Sequence, residues 1–178
     1  MKVAVKGLKR GPIVLQATET PAELGLSYPR ILFPFPVELS VKLTAMNEDV
    51  LADGEARTQA RAECSRCLEE VPLDLAGRFE ALYVPETGPY AERRGRADFE
   101  WGDQRVNFYS DFTIDLTEEI RNCILLELPM KPLCRPDCAG LCPRCGANLN
   151  AGPCACKPDE PDSPWSALRA ILPPHKKP

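Results

Sequence analysis

Nine cysteines stand in this chain of 178 residues, and eight of them form close pairs: Cys64 with Cys67, Cys134 with Cys138, Cys142 with Cys145, and Cys154 with Cys156. A short pair on a tight turn aims two sulfurs at one point, and four thiolates at about 2.3 Å are what a tetrahedral zinc ion takes. The opening run MKVAVKGLKRGP has no apolar stretch ahead of a cleavage site, so secretion is not expected and the cytoplasm is the expected compartment. Disulfides would be reduced there, and the odd count would leave one thiol over, so the pairs read as metal ligands. A redox CxxC opens a helix after a strand, whereas Cys64 lies between two strand patterns, which argues against a thiol oxidoreductase.

Eight thiolates fit two ions. Six cysteines between Cys134 and Cys156 are too many for one tetrahedral site, and Cys64 with Cys67 are too few, so one C-terminal pair is expected to reach back to the N-terminal one. The expected partition is Cys64, Cys67, Cys134 and Cys138 around one zinc, and Cys142, Cys145, Cys154 and Cys156 around the other. All-thiolate sites leave no coordination position for water, so both ions are expected to be structural. In the run Cys142 to Gly146, backbone N–H groups point at the sulfurs and the glycine allows the positive φ of the turn. Cys123 has no neighbouring cysteine and lies on an apolar helical stripe, where it reads as a small core residue.

The rest of the chain predicts an α+β fold: an antiparallel β-sheet with a covering helix and a Cys-rich, zinc-binding C-terminal extension. Val37, Leu39, Val41, Leu43 and Ala45 alternate with polar residues, the period of a half-buried strand. After a turn expected at Asp53-Gly54, Ala56, Thr58, Ala60, Ala62 and Cys64 occupy one face, and Glu55, Arg57, Gln59, Arg61 and Glu63 the other. Val71, Leu73, Leu75, Phe79, Ala81 and Tyr83 repeat the pattern, which places the Cys64–Cys67 pair at the bend of a meander. The segment from Val3 to Gln16, broken at Gly11-Pro12, adds an edge strand or hairpin. Residues 86–106 mix Gly, Pro and charge without period and read as a mobile loop.

Asp115 and Glu118 have the spacing of a capping box, and Leu116, Ile120, Cys123, Ile124 and Leu128 form an apolar stripe ended by Pro129, so a helix is expected over 115–128. The expected division is therefore a sheet domain over 1–128 and a Cys-rich segment over 129–178. Eight of the 19 prolines fall between Pro129 and Pro164, with few large apolar residues among them, so this segment needs metal to fold. It ends in a short helix capped by Ser163, with Pro164 in its first turn and Trp165, Leu168, Ile171 and Leu172 on one side.

The charge distribution narrows the function. The single histidine, His175, sits in a C-terminal tail, which excludes triads, HExxH proteases and zinc deaminases built on a His inside the fold. The formal net charge is -4, so bulk polycation binding to nucleic acid is excluded while local basic patches are not. Two patches qualify: Lys2, Lys6, Lys9 and Arg10, and a row of Arg57, Arg61 and Arg66 running toward the first Cys pair. Each reads equally as a solvated edge. Trp165 reads as a packing anchor or as a base-stacking platform.

The run PMKPLCRPDCAGLCPRCGANLNAGPCAC at 129–156, with CSRCL at 64–68 and DFTIDLTEEI at 111–120, resembles the YceD family of large-subunit ribosomal RNA accumulation proteins. The resemblance implies a non-enzymatic factor supporting 23S rRNA synthesis, processing or stability in large-subunit assembly, with no membrane role. Its partners would be 23S rRNA or a large-subunit precursor, met directly or through a protein. By position the eight paired cysteines correspond to the family's motifs and Cys123 does not. Some members lack the GLCPxCG half, which implies an accessory second site. The chain departs from the family at Asp162-Ser163-Pro164, where Asp-Pro-Arg is usual. The alternative reading is a zinc-ribbon adaptor that docks an assembly GTPase or a ribosomal protein without touching RNA.

Overall fold

A computed structural model of the chain describes residues 1–8, 11–87, 100–101 and 104–156, with 100, 101, 104 and 105 described in backbone only. Lys9, Arg10, Trp165, His175 and the C-terminal helix expected from Ser163 lie outside the described residues. The chain separates into two compact units, Met1–Cys138 and Ala139–Pro178. The first includes the start of the Cys-rich segment, because Cys134 and Cys138 join Cys64 and Cys67.

The first unit is built on a seven-stranded sheet with the path β2-β4-β5-β6-β8-β7 and β3 paired to β5. The strands are β2 (Ile13–Glu19), β3 (Ile31–Leu32), β4 (Val37–Met46), β5 (Asp49–Glu63), β6 (Glu70–Pro85), β7 (Glu100–Trp101) and β8 (Gln104–Tyr109). A separate two-stranded sheet pairs β1 (Lys2–Ala4) with β9 (Thr113–Asp115). The alternation read from the sequence sets the faces. Val37, Val41, Ala52, Ala56, Ala60 and Leu75 are buried, while the residues that alternate with them are exposed or half-buried. β5 and β6 form a long antiparallel hairpin from Val50↔Tyr83 to Glu63↔Glu70, and the Cys64–Cys67 pair occupies its bend, as the alternation predicts.

Four details differ from the sequence-based expectation. Asp53-Gly54 is not a turn: β5 runs through it, because Gly54 lies under the Phe79 ring, where a Cβ would collide. The reversal is instead at Asn47-Glu48, with Asn47 at φ 63°, a left-handed conformation that Asn tolerates. β1 and β2 are not a hairpin, since β2 is an edge strand on β4 whereas β1 pairs with β9. The loop expected to reach 106 ends sooner, because 100–101 and 104–109 are strands and β8 runs parallel to β6 from Leu82↔Val106 to Pro85↔Tyr109. The sheet is thus mixed: β7 pairs antiparallel with β8, which itself runs parallel to β6. Residues 88–99 and 102–103 of that loop lie outside the described residues.

The one helix among the described residues, α1 (Thr117–Leu126), covers the buried face and packs on β5 and β6 through Ile120, Cys123 and Ile124. It approaches so closely that a Cβ on Gly77 of β6 would collide with the Cys123 carbonyl. The helix starts later than expected because Asp115 is still paired with Lys2 as the last residue of β9. The Asp115 carboxylate nonetheless accepts from the Thr117 N–H at 3.0 Å and hydroxyl at 2.6 Å. Burial works against its charge, but these two bonds outweigh it and hold the carboxyl below its usual range. The Cys123 thiol donates to the Ile120 carbonyl at 3.1 Å, and burial pushes it up to about 11.

No helix or strand covers the other face of the sheet among the described residues. The register puts Glu38, Asp49, Asp53, Glu55, Glu63, Glu70, Asp74 and Glu80 on it, against Lys42, Arg57, Arg61 and Arg78. Its β6–β8 end is apolar, with Leu82, Val84 and Val106 buried in a small cluster beside Phe108.

Candidate metal centres

The eight paired cysteines come together in two groups of four, and within each group all the sulfurs lie within 4.8 Å of one another. Four sulfurs at 2.3 Å from a central ion stand about 3.8 Å apart in an ideal tetrahedron. In the first unit Cys64 Sγ is 3.8 Å from Cys138 Sγ, and Cys67 Sγ is 3.5 Å from Cys134 Sγ. Cys64, Cys67 and Cys138 are buried and Cys134 is exposed. The donor set and the spacing fit a metal ion at this position.

Local backbone bonding explains why the sulfurs converge. Cys64 N–H donates to the Glu69 carbonyl at 2.8 Å and Leu68 N–H to the Cys64 carbonyl at 2.9 Å, closing a tight loop. Ser65 N–H donates to Pro132 at 2.8 Å, which brings the Cys134 segment alongside. Burial works against a Cys64 thiolate, but N–H groups of Arg66, Cys67 and Cys134 donate toward its sulfur and lower it to about 6. Cys67 accepts from the Glu69 N–H, yet burial and the neighbouring sulfurs push it up to about 12. A divalent ion held by these four sulfurs would take the place of those protons, so its uptake would release them.

The second unit repeats the loop. Cys142 N–H donates to Ala147 at 2.8 Å, and Gly146 N–H to Cys142 at 2.9 Å. Leu141 pairs with Asn148, and Leu149 N–H reaches the Gly140 carbonyl at 2.9 Å. The Asn150 side chain accepts from Ala139 N–H at 2.8 Å and the Asn148 side chain from Asn150 N–H at 2.9 Å. These asparagine bonds fasten the described part of this unit. Cys142 accepts from the N–H groups of Cys145 and Arg144, which lower it to about 6, whereas the neighbouring Cys145 sulfur raises Cys156 to about 12.

The two knuckles superpose residue for residue in their bonding, Cys64 through Glu69 on Cys142 through Ala147. The residue after the second cysteine has a positive φ in both, Gly146 at 72° and Leu68 at 64°. Sequence reasoning saw the glycine and missed that Leu68 takes the same strained position. Writing CSRCL over CPRCG would have exposed it.

The candidate basic residues fall in different settings. Arg57 donates to Glu55 at 3.0 and 2.8 Å, and Arg61 pairs with Glu70 at 3.3 Å while standing 5.9 Å over the Phe35 ring. Arg66 is exposed, and its guanidinium donates to the Cys138 carbonyl at 2.7 Å and toward Pro136 at 3.5 Å. Lys2 and Lys6 are exposed, with buried Val5 between them. No helix among the described residues is long and apolar enough to cross a membrane.

Fold and site together define a class: a mixed β-sheet protein with one covering helix among the described residues, its longest hairpin closed by a four-cysteine group that could hold a metal ion and followed in sequence by a second such group. The chain belongs to the YceD family, described as "Large ribosomal RNA subunit accumulation protein YceD", which matches residues 52–172. It is 32% identical over 178 residues to an uncharacterized protein of Mycobacterium tuberculosis, covering 98% of this chain and 82% of the relative. It is 33% identical over 145 residues to the chloroplastic large ribosomal RNA subunit accumulation protein YCED homolog 1 of Zea mays, covering 69% of this chain and 49% of that protein. The Arabidopsis thaliana protein of the same name is 28% identical over 153 residues, covering 75% of this chain and 47% of its own length. No solved structure matches the chain. The family description is of an accumulation protein, not of an enzyme.

Proposed function

We propose that this chain is a cytoplasmic, non-catalytic factor that supports 23S rRNA synthesis, processing or stability during large-subunit assembly, and that it acts by binding. Family membership supplies the setting. The observation that carries the mechanism is the pair of all-cysteine tetrads, in each of which the four sulfurs lie within 4.8 Å of one another, so that an ion held by all four would have no ligand position for water. Tetrahedral all-sulfur donors on knuckle turns favour zinc, and two structural zinc ions stiffen loops that have little apolar core. Direct RNA contact falls best to Lys2 and Lys6, because Arg57, Arg61 and Arg66 already hold carboxylates or carbonyls.

A second reading is favoured by the excess of carboxylates on the open sheet face. The chain then works as an adaptor that holds a protein, such as a ribosomal protein or an assembly GTPase, without touching RNA. Depletion followed by measurement of the 23S to 16S ratio tests the setting, and co-sedimentation with large-subunit precursors before and after ribonuclease separates the two readings. An unchanged ratio together with no co-sedimentation would overturn both.

A further inference from the structure

The outer face of β4, β5 and β6 has two adjoining hollows. One of 630 Å³ is lined by Gln16, Thr18, Glu38, Ser40, Glu55 and Arg57. The other, of 520 Å³, shares Glu38 and Arg57 and is completed by Phe35, Pro36, Asp74 and Ala76. Together they are lined by three carboxylates, Glu38, Glu55 and Asp74, by one cation, Arg57, and on the side of the second hollow by the apolar Phe35, Pro36 and Ala76.

We propose that this face docks a lysine- and arginine-rich polypeptide segment in extended form. Charge selects the occupant. Carboxylates outnumber cations two to one on the face, so after every Lys and Arg there is matched an acidic excess remains, which repels phosphate and attracts a polycation. The chemistry of the second hollow fits a long basic side chain. Its aliphatic stem lies over Pro36, Ala76 and the Phe35 ring while its cationic head meets Glu38 and Asp74. The molecule already makes one such contact, with the Arg61 guanidinium held over Phe35. Crossing from β4 to β6 covers about 10 Å, a span of only three or four extended residues, so a short disordered tail suffices. The proposal rests on the adaptor reading for its biological setting, while the docking itself is a property of the isolated chain.

The test uses the full metal-loaded chain and a labelled oligolysine, followed by fluorescence anisotropy at rising salt. The wild type binds, more weakly as salt rises. Glu38→Gln with Asp74→Asn weakens binding about tenfold, whereas Asp111→Asn with Glu127→Gln, which removes the same charge away from the face, changes it less than about twofold. Circular dichroism and metal content establish that both variants fold. Equal losses in the two variants would show non-specific attraction and overturn the proposal, as would no binding by the wild type. A labelled single-stranded RNA that binds and is lost in Arg57→Ala with Arg61→Ala would overturn it in favour of a phosphate-binding face. Retained co-sedimentation with precursors alongside failed oligolysine binding would leave the binding-factor function standing and remove only this surface.

Discussion

Replacing Arg66 by alanine separates a phosphate-contacting arginine from one that builds the first metal centre. Its guanidinium donates to the Cys138 carbonyl at 2.7 Å and toward Pro136 at 3.5 Å, tying the Cys64 knuckle to the Cys134–Cys138 turn. A hydrogen bond from a charged donor contributes about 1.5–3 kcal/mol when shielded, and partial exposure here brings the expected loss to about 1–2 kcal/mol. Because the bond joins the two halves of the tetrad, the loss falls on metal affinity, about five- to thirtyfold at the first site. Competition with a chromogenic chelator measures it, and a Cys142→Ser background, holding only the first site, assigns the effect. The second site in the Arg66→Ala chain should keep its wild-type affinity. Unchanged affinity at the first site, or equal weakening at both, would refute the assignment.

Elemental analysis should find two metal ions per chain, falling by one in Cys64→Ser and by one in Cys142→Ser, while Cys123→Ser keeps both and costs about 1–3 kcal/mol in urea unfolding. Gly77→Ala forces a methyl against the Cys123 carbonyl, a backbone group that cannot rotate away. Urea unfolding should show a loss of about 1–3 kcal/mol as α1 is displaced. Asp115→Ala removes the acceptor of Thr117 and costs about 1 kcal/mol at neutral pH. Because the folded carboxyl sits below its usual range, that contribution is present above the unfolded value near 3.9 and is lost as pH falls through the lower folded value, so wild type and variant should converge in acid.

The sequence by itself determined which way each long strand faces and which cysteines form close pairs. Alternation over Val37–Ala45 and Ala56–Cys64 is a local property of the pleat, and close cysteine pairs are local turns, so both are legible without knowing where the chain goes next. The tertiary structure alone decided what is non-local. Asp53-Gly54 has the composition of a turn and became mid-strand because the Phe79 ring occupies the space of its missing Cβ. β8 was hidden among mixed charges, since six residues carry too little periodicity to announce a parallel partner on β6. Arg66 looked like Arg57 and Arg61 until the fold brought the Cys138 carbonyl within reach of its guanidinium. The sheet's outer face is acidic only as a sum over three successive strands, and the register in which β4, β5 and β6 pair performs that sum.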